Sequence, residues 1–79
     1  MRIIEVYVSS ESDVAKFRHR LRRMGIRGVS VRVVSDPWIT LPAVRTEQRL
    51  YQGDVSVGRL FARVGVRVED SRRQLAAVK

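Results

Sequence analysis

Seven bases crowd one stretch of this chain with no acid among them. Between Asp13 and Asp36 stand Lys16, Arg18, Arg20, Arg22, Arg23, Arg27 and Arg32, with His19 beside them. Lys16, Arg20, Arg23 and Arg27 recur every three or four residues, so on a helix they form one stripe, while Arg18 and Arg22 form a second. A face of guanidinium groups is suited to phosphates, and hence to nucleic acid. The same face is also what a solvated helix looks like in an Arg-biased chain, and 14 of the 16 bases here are Arg. Stacking onto single strands needs interleaved aromatics, and only Trp38, Tyr51 and Tyr7 are at hand. No recognition-helix or RNA-binding signature is present.

Ser9, Ser10 and Ser12 sit where a helix should start. They could cap it or hold an anion such as a carboxylate at its N-terminus. His19 is the sole histidine, between Arg18 and Arg20, and reads as an exposed helix residue rather than a ligand or base. The chain has no cysteine, so thiolate chemistry is excluded and no Cys/His zinc set exists. There is no Ser/His/Asp arrangement and no Gly-rich phosphate loop. Catalysis, a metal and a cofactor are therefore not expected.

These residues must be positioned by short elements. Ile3 to Val8 is β-branched and aromatic, and reads as a strand buried on most of both faces. Val14, Phe17, Leu21 and Met24 make one apolar helical stripe, with Gly25 placed to end it. Val29 to Val34 alternates and predicts a second strand, parallel to the first through a right-handed crossover. Ser35 to Thr40 is a loop with Pro37 and Trp38. Leu41 to Val44 and Arg49 to Gln52 predict a hairpin turning at Glu47-Gln48, with Pro42 at the strand start, where no ladder donor is needed. Asp54 or Ser56 should cap a second helix with stripe Val57, Leu60, Phe61 and Val64, ending near Gly65.

The expected fold class is α/β (α+β): a βαβ-ββα order, a four-stranded mixed sheet, two main helices and a C-terminal tail. Residues 1–65 form one domain and 66–79 the tail, where Asp70 or Ser71 could cap a short helix carrying Leu75 and Val78. At 79 residues, without disulfides, the chain buries only about 60% of its unfolded surface, and its core is small. Self-association into a homo-oligomer is expected, because the sheet leaves edges at its second and fourth strands. The net charge of +8 attracts nucleic acid, acidic proteins or anionic surfaces. No apolar run nears the roughly 20 residues of a membrane span, and Met1 to Val8 is no signal peptide. The expectation is a cytoplasmic protein that does not enter membranes.

The order of elements resembles the thioredoxin/glutaredoxin superfamily, in a minimal, cysteine-free form. Thr40-Leu41-Pro42-Ala43-Val44 looks like that family's Thr-x-Pro, and Leu50-Tyr51-Gln52-Gly53 resembles its strand-to-helix corner. The resemblance spans Ile3 to Gly65 and implies a cis Pro42 facing the binding edge. Two departures stand out. Glu11-Ser12-Asp13-Val14 occupies the place of the family's Cys-x-x-Cys. The helix that usually joins the second strand to the proline is missing, leaving Ser35 to Thr40 to cross the end of the first strand, roughly 10 Å. Pro37-Trp38 would then lie over the edge where relatives hold glutathione or an extended peptide.

The resemblance thus implies a non-enzymatic thioredoxin-like binding module. Its groove would comprise Ser10, Ser12, Trp38, Thr40, Leu41 and Pro42, with Thr40 to Pro42 offering unpaired backbone groups to a protein or peptide. Nucleic-acid binding through Lys16, Arg20, Arg23 and Arg27 is the first alternative. A degenerate glutaredoxin-like binder of a small acid is the second; in glutathione-binding relatives an Asp at the place of Asp54 touches the ligand.

Overall fold

A computed structural model describes residues 2–64. The elements are β1 (Ile3–Val8), α1 (Glu11–Arg23), β2 (Ser30–Val33), β3 (Ala43–Thr46) and β4 (Leu50–Gln52). A second helix, α2, covers residues 54–64. The fold is mixed α/β in the βαβ-ββα order, with one four-stranded mixed sheet ordered β2-β1-β3-β4. The β1–β2 pair is parallel, and β3 is antiparallel to both β1 and β4. The edges are β2 and β4, as the element order implied.

α1 begins because Ser10 is extended (φ −148°, ψ 160°) and its Oγ accepts from the Asp13 N–H at 3.3 Å. It ends in paired C-terminal hydrogen bonds. The Ile26 N–H reaches the Leu21 carbonyl at 2.9 Å, and the Gly25 N–H reaches that of Arg22 at 3.0 Å. That closure needs a left-handed residue at position 25, and Gly25 has φ +73°. Gly25→Ala should lower stability by about 1–2 kcal/mol, read as a fall in the urea midpoint at unchanged slope. An unchanged midpoint would mean that another residue stops the helix.

Both helices pack on one face of the sheet. Val6, Val8, Val31, Val44 and Tyr51 meet Val14 and Leu21 of α1 and Val57, Leu60 and Phe61 of α2 in a single cluster. Phe17 and Met24 complete the stripe of α1 from the rim. The expectation that β1 is buried on both faces is corrected. Ile4 is exposed, and Glu5 and Tyr7 are only half-buried. A register shift between Ile3 and Glu5 puts Ile3 and Val6 on the same side despite their odd spacing. The opposite face carries no helix among the described residues. There Glu5 lies between Arg32 at 3.1 Å and Arg45 at 3.7 Å.

The hairpin turn uses a threonine in place of an Asn-Gly pair. Thr46 is buried, and its Oγ1 accepts from the Gln48 and Arg49 N–H groups at 3.2 and 3.1 Å and donates to the Arg49 carbonyl at 3.1 Å. Thr46→Val keeps the shape and removes these bonds, for an expected loss of about 1–2 kcal/mol. Retained stability in thermal denaturation would show that the turn does not depend on the hydroxyl.

α2 starts one residue earlier than expected. The Val57 N–H donates to the Gly53 carbonyl, so Gly53 holds the cap position and Asp54 is the first helical residue; neither Asp54 nor Ser56 is the cap. With φ +87° at this corner, position 53 suits only glycine. The expected helix stop at Gly65 and the tail helix over 66–79 lie outside the described residues. Among the described residues, no helix is long and apolar enough to cross a membrane.

Candidate functional site

Strand directions fix what each end of the sheet presents. Residues 9–10, the connection over 34–42 and the Gly53 corner gather at the C-terminal end of β1. The connection crosses the end of β1, to which the Val34 N–H is tied through the Val8 carbonyl at 2.9 Å. The Leu41–Pro42 peptide bond is cis.

Within this connection Asp36, Pro37, Trp38 and Ile39 form a tight turn. The Ile39 N–H reaches the Asp36 carbonyl at 3.3 Å, and the Trp38 N–H reaches Asp36 Oδ1 at 2.9 Å. Asp at the first position and Pro at the second suit such a turn, and the third residue is left at its corner. Trp38 is consequently 90% exposed. The expectation that Trp38 lies over the groove is therefore corrected. The depression at this end, about 370 Å³, is lined by Ser9, Val33, Val34, Asp36, Pro37 and Leu41 among others. Of the six expected groove residues, only Leu41 lines it.

The backbone at the cis proline is partly spoken for. The Thr40 N–H donates to Gln52 Oε1 at 2.9 Å, and the Pro42 carbonyl accepts from the Gly53 N–H at 2.9 Å. Leu41, between them, has neither backbone group paired among the described residues. The expected row of three is thus reduced to Leu41 and the neighbouring Thr40 carbonyl.

Ser10 and Ser12 are engaged with each other and with the helix. Their Oγ atoms are 3.0 Å apart, and Asp13 Oδ2 accepts from Ser10 at 3.0 Å and Ser9 at 3.3 Å. The carboxylate of Asp13 thus fills the electropositive start of α1. Glu11, Asp36 and Asp54 lie at the same end, and residues 9–15, 34–42 and 53–58 contain no Lys or Arg. Four of the six acids in residues 2–64 share an end whose described segments hold no base. This charge disfavours a small acid at the Ser10 edge, contrary to the anion site expected from Ser9 to Ser12.

The opposite end is basic. Lys16, Arg18, Arg20, Arg22, Arg23 and Arg27 are all exposed and make no ion pair among the described residues. The expected single stripe is divided. Arg20 and Arg23 border one depression with His19 and Met24. Arg18, Arg22 and Arg27 border another, of about 540 Å³, floored by Leu21, Ile26 and Val29. Arg20 also has a structural task that sequence reasoning missed: its guanidinium lies 4.6 Å from the centre of the buried Phe61 ring. No spacing rule signals this, because the contact joins two helices far apart in the chain. No group of three or more His, Cys, Asp or Glu residues able to hold a metal occurs among the described residues. Compared with family models, curated proteins and solved structures, the chain has no match.

Proposed function

We propose that this chain is a non-enzymatic binding module of the thioredoxin-like type that takes an extended protein segment at the Leu41–Pro42 edge. The observation that carries the reading is the unpaired backbone of Leu41, which lines a largely apolar depression in the same connection that exposes Trp38. One free N–H and one free carbonyl on the same residue offer a two-bond bridge to a passing strand. The aromatic and the depression would select its side chains. The βαβ-ββα order supports the likeness to that superfamily.

The test is a display library of random extended peptides selected on the full chain. Selected sequences are then titrated while the emission of Trp38, the sole tryptophan, and backbone amide shifts are followed. Blue-shifted emission with shift changes over 33–42 supports the reading. Selected peptides that perturb only α1, or no selected binder, overturn it.

A second reading, polyanion binding by α1, is favoured by the unpaired bases at that end. Short RNA or DNA duplexes and single strands titrated at low and physiological salt would show steep weakening, and loss on Arg22→Glu and Arg23→Glu. Arg20→Glu is unsuited to this test, since it also disturbs the contact with Phe61.

A further inference from the structure

Charge and exposed apolar surface are sorted along the strand axis. The end that carries Glu11, Asp13, Asp36 and Asp54 also carries three of the four large exposed apolar side chains among the described residues, Val33, Trp38 and Val55. At the other end stand Arg2, Arg22, Arg23, Arg27, Arg49 and Arg63, opposed among the described residues by Glu47 alone. The assignment of α2 to that end is fixed by Val64, which shares a depression with Arg2, Ile26 and Arg27. Two copies therefore repel end to like end and attract end to opposite end.

The shapes match as well as the charges. Trp38 projects from its turn with the Asp36 carboxylate holding its N–H. The depression bordered by Arg18, Arg22 and Arg27 has room for an indole, an apolar floor of Leu21, Ile26 and Val29, and guanidinium groups at the rim. An indole face is the best aromatic partner for a guanidinium, and Trp and Arg recur as binding anchors.

We infer that the partner at the Trp38 end is a second copy of this chain, with Trp38 of one copy seated in the Arg18/Arg22/Arg27 depression of the next. This rests on the reading of that end as a protein-binding surface. The contact joins two different patches, so a pair of copies keeps one free plug at one end and one free socket at the other, and the assembly grows head to tail.

Sedimentation of the full chain from micromolar to millimolar concentration tests this, with Trp38 emission as a second readout. Association that grows with concentration, a blue shift of Trp38, and weakening at high salt are expected. Trp38→Ala should weaken it roughly thirtyfold, and Arg22→Glu with Arg27→Glu about tenfold or more. All three residues are exposed, and far-UV dichroism checks that the variants fold. The decisive arm mixes the plug variant with the socket variant. At a concentration where each alone is monomeric, together they form a dimer that grows no further, because one intact plug meets one intact socket.

A chain that stays monomeric at millimolar concentration overturns the inference, as does association indifferent to Trp38→Ala, the mark of symmetric pairing through β2 or β4 edges. A mixture that remains monomeric overturns it too. A monomer that still binds selected peptides through Trp38 sinks self-association alone. Polyanion binding by α1 without self-association also sinks it and leaves the basic end to nucleic acid.

Discussion

Phe61→Ala should leave the domain largely unfolded at room temperature. Phe61 is among the largest fully buried side chains, at 2% exposure. From α2 it packs against α1, with the Phe17 ring 5.9 Å away and Arg20 stacked at 4.6 Å. Truncating a buried phenylalanine costs about 3–5 kcal/mol, from lost transfer energy plus the cavity left behind. The Arg20 contact adds to that loss at about 0.5–1 kcal/mol. A small domain with no cysteine and a one-sided core has little more than this in hand: native stabilities begin near 5 kcal/mol. Far-UV dichroism with urea titration of the variant checks the expectation. A cooperative transition at near-native midpoint would mean that the core is held chiefly by the sheet, and that α2 is dispensable to it.

Trp38→Ala should do the opposite: leave stability within about 0.5 kcal/mol and remove most of the affinity of the Leu41–Pro42 end. The indole is 90% exposed, so truncation forfeits almost no packing. An aromatic anchor at the centre of an interface is worth about 2 kcal/mol or more, which is roughly thirtyfold in Kd. Thermal denaturation and peptide titration on the same preparation separate the two quantities. A marked fall in stability would show that Trp38 packs on the domain. Unchanged affinity would remove it from the binding surface.

The backbone layout was the most legible part of the sequence. β1 is read at Ile3 to Val8 in full, because a β-branched run bounded by Ser9-Ser10 has few other fates. The stop of α1 follows from Gly25, whose left-handed φ the Schellman-type closure requires. The burial of β1 was misread for a physical reason. A short apolar run does not say whether one face or two is covered, and the register shift at Ile3/Glu5 scrambles the alternation that would have told. The hairpin turn was hidden in Thr46, which reads as a strand residue until its hydroxyl is seen bridging 48 and 49.

The candidate site was legible by residue type but not by role. The exposure of Trp38 had a usable signal: Asp36-Pro37 heads a turn whose third residue is thrust outward. The serines at the start of α1 were placed correctly, yet Asp13, three residues after Ser10, already marks a reciprocal cap that satisfies them internally. The diversion of Arg20 to Phe61 depends on where α2 lies, and the depression at Arg18, Arg22 and Arg27 on how the chain turns back through Ile26 and Val29. That information is long-range and absent from local spacing.

The side of the sheet that carries no helix among the described residues has a consequence for solution behaviour. A bare, flat sheet invites a second sheet to settle on it, the route by which β proteins precipitate. Here that side bears Arg32, Glu5 and Arg45 in a row, one carboxylate between two guanidinium groups. Laying two such sheets together would strip water from six charges and bring two net cations face to face, a cost that contact at Tyr7 and Leu50 is too small to offset. The row works as a spacer that keeps the broad sides of neighbouring copies apart. Concentrated solutions should therefore stay clear, and gain viscosity before they gain turbidity.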